Sequence, residues 1–385
     1  VKEVMDSGKK VLIVAGESSG DLYGALVMEA MASLAPQVTF YGIGGSEMER
    51  RGVNLLFSSS DLAVVGLTEI LEKMGHIRRA WREMKRFIVE EKPHLAVLID
   101  YPGFNLRLAR FLKENSVPVL YYVSPQVWAW HAGRIKKIAK WVAKMAVILP
   151  FEAPLYQQAG VDVEFVGHPL LDILDADLSR EEARRQLGVP LDALLIGLLP
   201  GSRKREVKAL LPPLVGAATI LSREFPSCRF LLPLASTVRR DVIQGFITGS
   251  HLSLEVVEGQ TFEAMKAADL LLVVSGTATL EGAIAGVPMV IIYRLSPLSY
   301  LIGRMLVKVK CIGLANIVVG RKVVPELIQG DVTPQRIAHE AEKILRNPAA
   351  KGAIEAEFKL IKDKLGERGA SHRVARIALQ MMGIA

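Results

Sequence analysis

The chain has 385 residues, half of them hydrophobic and few aromatic; this is long for one core and fits two α/β domains rather than a disordered or disulfide-stapled chain. A formal net charge of +8 calls for an anionic partner: a nucleotide, a nucleic acid or an acidic headgroup. Cys228 and Cys311 are too few and too far apart for a disulfide framework or a thiolate metal site, no apolar run suffices to cross a bilayer, and the run after Lys9 and Lys10 is too short for an export signal, so a reducing, cytoplasmic setting is expected.

In chain order, strand-like runs fall at 11–15, 38–41, 94–99, 117–123, 145–149 and 163–166, with amphipathic stretches between most of them. Such alternation predicts a parallel sheet covered on both faces. The first run opens into "GESSGD". A small turn between strand and helix is a common phosphate cradle, but Glu17 and Asp21 would repel an anion there. The segment 58–87 sets apolar Val64, Val65, Leu67, Ile70, Leu71 and Met74 before Arg78, Arg79, Arg82, Lys85 and Arg86. That order suits contact with an anionic bilayer or acyl chains, although a plain core helix reads the same way.

"HLAVLIDYPGFN" ends a buried-type strand at Asp100, where a carboxylate is either a general base or a cap for the next helix. "YYVSPQVWAWHAGRIKKIAKWVAK" gathers Trp128, Trp130 and His131 before Arg134, Lys136, Lys137, Lys140 and Lys144. These suit a sugar ring beside an acidic group or a membrane interface; an amphipathic helix with a solvated basic face is the alternative. His168 reads as a turn residue closing the first half. The charged segment 170–192 reads as the connector, its Asp175 and Asp177 as helix-start acids rather than metal ligands.

A second series of strands follows at 194–199, 229–232, 253–257, 270–274 and 288–292. Its first strand ends in Pro200-Gly201-Ser202-Arg203, where small residues admit an anion and Arg203 offers a forked donor, although a solvated basic turn reads the same way. Its fourth ends in Ser275-Gly276-Thr277 before a helix, with Glu281 one turn in, either placed for vicinal hydroxyls such as those of ribose or a first-turn acid complementing the helix dipole. Neither is a Walker loop, and no G-x-G-x-x-G fingerprint occurs, which disfavours a dehydrogenase. The predicted domains are 1–172 and 185–349, with a tail from about 350 to 385 that can pack back on the first; Val374, Ile377, Ala378 and Met381 form a helical stripe in it.

Taken in order, "VAGESSGD", "IDYPGFN", "YYVSPQVWAW", "LPFE", "FVGHPL", "LLPGSR", "VVSGTATLE" and "LANIVVGRKVVPEL" resemble the lipid-A-disaccharide synthase family from about Val11 to Leu327. The resemblance implies a GT-B glycosyltransferase: two Rossmann-like doubly wound domains facing a central cleft, with no cofactor and no required metal. It implies inverting transfer of 2,3-diacylglucosamine from UDP-2,3-diacylglucosamine to the 6-hydroxyl of 2,3-diacylglucosamine 1-phosphate. The product would be the β-1,6 disaccharide 1-phosphate, with UDP leaving. It further implies a homodimer, peripheral on the cytoplasmic face of the inner membrane of a Gram-negative bacterium, with no nucleic-acid partner. Carried over by position, Asp100 is the base, Gly16, Glu17, Ser18 and Ser19 line the acceptor pocket, and Ser202, Arg203, Ser275, Gly276, Thr277, Glu281 and Asn316 hold UDP. His131 stays outside the catalytic set. Two rivals share the architecture: a UDP-sugar 2-epimerase, favoured if the 64–74 patch is buried, and a non-catalytic nucleotide-sugar-binding module, indifferent to Asp100.

Overall fold

Runs of Val, Leu and Ile with no polar face must be covered on both sides, and each becomes a strand of a parallel sheet. The computed structural model describes residues 8–61, 67–128, 133–235, 237–249, 252–296, 300 and 311–384, with backbone alone for 61 and 67–74. The chain divides into two units, Val1–Asp172 with Leu365–Ala385, and Ile173–Lys364.

The first unit holds β1 (Lys10–Ala15), β2 (Thr39–Gly44), β3 (Asn54–Ser58), β4 (Leu95–Ile99), β5 (Val119–Tyr122), β6 (Lys144–Val147) and β7 (Val163–Phe165), in the order β3-β2-β1-β4-β5-β6-β7. All are parallel, and β1 lies between β2 and β4 with Ala15 opposite Ile99. The second holds β8 (Leu195–Leu199), β9 (Arg229–Leu234), β10 (Leu254–Glu258), β11 (Leu270–Val274), β12 (Met289–Tyr293) and β13 (Glu326–Ile328), in the order β10-β9-β8-β11-β12-β13. Here β8 and β11 are neighbours, with Leu199 opposite Val273. Each unit is therefore doubly wound, and the strand order reverses between the first and fourth strands of its sheet, where open α/β sheets place ligands.

Two strands, β3 and β13, lie outside the predicted set, and both are sheet edges. An edge strand is only partly covered and can form without a long apolar run, as these two do, whereas the other two edges, β7 and β10, coincide with predicted runs.

The connector is fastened rather than loose. Ser179 and Glu182 form a reciprocal capping box on the helix Arg180–Gln186. Behind it the fully buried Arg184 donates to Asp269 Oδ2 at 2.9 Å and to three backbone carbonyls. The tail divides. Pro348–Lys364 packs on Thr277–Ala285 and Leu314–Val319, whereas Ala370–Met381 packs on Ser18–Leu34 with Val374, Ile377 and Ala378 buried. Asp172 caps that last helix, accepting from the N–H groups of Gly369, Ala370 and Ser371 at 2.6, 3.3 and 3.0 Å.

Candidate functional site

In the first unit the chain leaves β1 through Gly16 and Glu17 and leaves β4 through Asp100 and Tyr101, so these four residues emerge from adjacent strands. Gly16 is buried beneath the Tyr101 ring; a Cβ there would fall 2.4 Å from two ring carbons. Glu17, Ser18 and Ser19 are exposed at the N-terminus of the helix Ser18–Leu34, whose N-cap residue Glu17 makes no side-chain cap. Asp21 is turned away from that opening. Its carboxylate is buried and accepts from Gly45, Glu47 and Met48 N–H at 2.6, 3.0 and 3.2 Å, capping the helix Ser46–Arg50. Of the two acids that made this turn a poor phosphate cradle, one is structural and one faces solvent.

Asp100 and Tyr101 both take left-handed backbone, with φ of 43° and 46°. Such conformations cost non-glycine residues on the order of 1–3 kcal/mol each and persist only where surroundings enforce them. Asp100 keeps its N–H in the sheet, donating to Tyr122 O at 3.0 Å, while its carbonyl accepts from Tyr121 Oη at 2.6 Å and Asn105 Nδ2 at 2.8 Å. Burial pushes the Asp100 carboxyl up to about 7, the negative Glu17 adds to the rise, and a Tyr101 backbone hydrogen bond works against it. A carboxylate tuned near neutrality is a far stronger base than an ordinary one.

One strand over, Ser124 and Trp128 follow β5. Trp128 donates its indole N–H to Glu152 at 3.1 Å and meets Phe151 edge to face at 5.3 Å. Glu152 is buried, also accepts from Leu149 N–H at 3.2 Å, and is pushed up to about 7 by desolvation. Ser124 and Tyr156 hydroxyls meet at 2.7 Å. Trp130, His131, Val64 and Val65 lie outside the described residues, as do the side chains of Leu67, Ile70, Leu71 and Met74. Further along the helix Leu67–Glu91, Arg78, Trp81, Arg82, Lys85 and Arg86 line an open groove of about 570 Å³. His168 is buried and neutral, its Nδ1 accepting from Leu170 N–H at 3.2 Å, with burial lowering its pKa to about 3.

The second unit places Gly201-Ser202-Arg203 after β8 and Ser275-Gly276-Thr277 after β11, again on adjacent strands. Two helices start here, Lys204–Glu224 and Thr277–Ala285, and neither N-cap residue supplies a side-chain cap. Their first N–H groups and positive dipole ends have the chemistry that suits an anion. Gly201 has φ of 103°, with Glu206 held against its Cα side, and Arg203 Nη1 donates to that same Glu206 at 3.0 Å. Ser202 is exposed; its carbonyl accepts from the Thr237 hydroxyl at 2.6 Å. At Gly276 a Cβ would meet open space.

Ser275 donates its hydroxyl to Ile312 O at 2.9 Å, and Thr279 accepts from Leu314 N–H at 3.1 Å, tying this turn to the segment before Leu314–Val319. Thr277 has no side-chain partner among the described residues. Nor does Glu281, whose carboxyl desolvation pushes up to about 7. Asn316, which the resemblance assigns to UDP, lies behind this turn. It is fully buried and its amide is saturated, accepting from Val323 and Val324 N–H at 2.7 and 3.0 Å and donating to Val324 O and Glu326 Oε1 at 3.0 and 2.9 Å. Glu326 in turn accepts from Ile312 and Gly313 N–H. Asn105, Tyr121, Glu152 and Glu326 have no role in the sequence reading, although all four sit inside the quoted motifs. Among the described residues no cluster of three or more His, Cys, Asp or Glu is arranged to hold a metal ion, and no helix is long and apolar enough to cross a membrane.

The pattern that defines the lipid-A-disaccharide synthetase family matches residues 11–379. The chain belongs to that family. The lipid-A-disaccharide synthase of Syntrophus aciditrophicus (strain SB) is 50% identical over 377 residues, 98% of each chain. Among solved structures, the Neisseria meningitidis UDP-GlcNAc 2-epimerase bound to UDP-GlcNAc superposes with a TM-score of 0.67 at 13% identity, over 96% of this chain and 100% of the other. CalG4, the calicheamicin glycosyltransferase, gives 0.62 at 13%, over 97% and 98%. These likenesses give the GT-B fold; membership of the lipid-A-disaccharide synthetase family makes the chain a glycosyltransferase of lipid A biosynthesis rather than an epimerase.

Proposed function

We propose that the chain transfers 2,3-diacylglucosamine from UDP-2,3-diacylglucosamine to the 6-hydroxyl of 2,3-diacylglucosamine 1-phosphate, inverting the anomeric centre and releasing UDP. The observation that carries this reading is Asp100: a carboxylate at the switch point of the first sheet, tuned to about 7 and so fitted to take a proton from an alcohol. Gly16, Glu17, Ser18 and Ser19, emerging beside it, line the acceptor pocket. A sugar hydroxyl donates readily to Glu17, which a phosphate could not.

UDP belongs to the second unit. The N–H groups starting Lys204–Glu224 and Thr277–Ala285 receive the diphosphate with Arg203, while Ser202 and Gly276 let it approach the backbone. Glu281 accepts from the ribose diol, which supplies the hydrogen bonds its desolvated carboxylate lacks. Asn316 acts indirectly, holding Glu326 and the Gly313 turn against Ser275. Arg203 and the helix dipoles stabilise charge on the departing UDP, and no metal is required.

The chain works as a homodimer, peripheral on the cytoplasmic face of the inner membrane. The cations and Trp81 of Leu67–Glu91 support contact with anionic headgroups. Incubation with both sugar substrates and EDTA, followed by mass spectrometry, should show the disaccharide phosphate and UDP; release of free sugar without disaccharide would refute the transfer.

A further inference from the structure

Residue type explains the Asp100 bend only in part. Asp enters left-handed backbone more readily than most non-glycine residues, but Tyr does not, and two such residues in succession are disfavoured. The remaining cause lies in two other elements. Tyr121, wholly buried on β5, reaches the Asp100 carbonyl with its hydroxyl. Asn105, wholly buried in the helix Pro102–Glu114, donates one amide hydrogen to that oxygen and the other to Ile99 O at 3.1 Å. The peptide after Asp100 is thus pulled out of the sheet while the peptide before it stays in.

Asn105 carries a second signature. Its Oδ1 is buried without a hydrogen-bond partner among the described residues, an arrangement that destabilises the fold. An apolar side chain would avoid that defect, so the two N–H groups are what this position uses. We propose that Asn105 and Tyr121 are positioning residues that hold the Asp100 carboxylate at the acceptor hydroxyl by locking the bend at residues 100–101. The inference rests on the reading of Asp100 as base, and it identifies what holds the base in register with its substrate.

The clamp also keeps the carboxyl desolvated. The titratable groups facing it among the described residues are Glu17 across the crevice, Tyr101 beside it and Tyr121 beneath it. Releasing the bend lets water reach Asp100 while Glu17 and Tyr101 remain, so its pKa falls toward the ordinary carboxylate range.

Asn105→Ala and Tyr121→Phe are compared with the parent and with Asp100→Asn in full-length enzyme. Asn105→Ala should lower kcat about 30-fold or more, as sub-ångström misplacement does, and Tyr121→Phe about 3–10-fold, with KM for both substrates within about threefold. In both, the acidic limb of kcat/KM should move below its position near 7. Tyr121→Phe removes one oxygen from a filled site and guards against a folding failure of Asn105→Ala. Parent-like kcat with an unmoved limb overturns the clamp; so does a loss that merely tracks the folded fraction while the limb stays put. If Asp100→Asn is inactive and these variants are parent-like, the clamp alone fails. If Asp100→Asn is active, it is the base that fails.

Discussion

At the β1/β4 junction the chain leaves the first sheet through Gly16-Glu17 and Asp100-Tyr101; at the β8/β11 junction it leaves the second through Gly201-Ser202-Arg203 and Ser275-Gly276-Thr277. The topology is the same, and so is the place in the strand order. The furnishing differs. One crevice has a desolvated carboxyl on strained non-glycine backbone, with a second carboxylate opposite; the other has a guanidinium, open glycine backbone and two helix N-termini without side-chain caps. Winding a sheet twice supplies a location, and the residues at the strand ends decide whether it takes a proton or holds an anion.

The sharpest break between the two comes from removing one charge from the first. Asp100→Asn should lower kcat by about 10²–10⁴ while leaving the affinity for UDP unchanged, because base and nucleotide site belong to different sheets. In the parent, kcat/KM should fall on acidification through about 7 as the carboxylate takes up its proton. Calorimetric titration with UDP alongside steady-state rates checks both. A variant with weakened UDP binding would assign the Asp100 carboxylate to the nucleotide site.

The converse change belongs to the second crevice. Arg203→Ala should weaken UDP binding about tenfold to a hundredfold, the loss of a charge-assisted hydrogen bond worth about 1.5–3 kcal/mol. Glu281→Gln keeps one acceptor oxygen and should lose about fivefold to tenfold, with most of that loss absent for 2′-deoxy-UDP. An unaltered dissociation constant for Arg203→Ala would remove the guanidinium from the anion site.

A third difference is thermodynamic. The Asp100 carboxyl has a raised pKa in the folded chain, so between about pH 4 and 7 the folded state holds a proton that the unfolded state has lost. Stability from this group is therefore intact below its ordinary value, declines as pH rises toward 7, and stays at the lower level above it. Asn behaves like the protonated form at every pH. Asp100→Asn should match the parent near pH 4 and exceed its unfolding free energy by about 1–3 kcal/mol at pH 8; the full shift at about 1.4 kcal/mol per pKa unit sets a ceiling near 4, reduced by remaining contact with solvent. Urea melts at the two pH values read the difference, and an equal gain at both would assign it to packing.

Much of this was legible in the residues. Inner strands announce themselves because both faces must be apolar, and the paired turns follow once first and fourth strands are neighbours. The edge strands Asn54–Ser58 and Glu326–Ile328 were not legible, since these two half-covered strands lack that signature. Residue type and position made Asp100, Arg203 and Glu281 candidates, each beside a plain structural alternative, and the family resemblance chose among them. The roles of Asn105 and Tyr121 could not, because their target is a backbone oxygen set by a bend that no propensity predicts. The saturation of Asn316 was hidden for the same reason: its partners are main-chain groups of residues 323 and 324 and a carboxylate ten residues on.

The smallest effect separates the two kinds of glycine. At Gly16 a Cβ falls 2.4 Å from the Tyr101 ring, and the ring leans on the bend that carries Asp100. Gly16→Ala should therefore destabilise the first unit by about 1–2 kcal/mol through overpacking and lower kcat without altering UDP affinity. At Gly276 the same methyl meets open space, and its extended backbone suits any residue. Gly276→Ala should change stability by less than about 0.5 kcal/mol, as surface substitutions do, yet weaken UDP severalfold by standing where the phosphate approaches. Thermal melts with and without UDP distinguish the pair: the first variant melts lower in both, and the second loses only the ligand-induced rise. If Gly276→Ala keeps the whole of that rise, the diphosphate does not rest on this turn, and the contrast between the crevices reduces to their side chains.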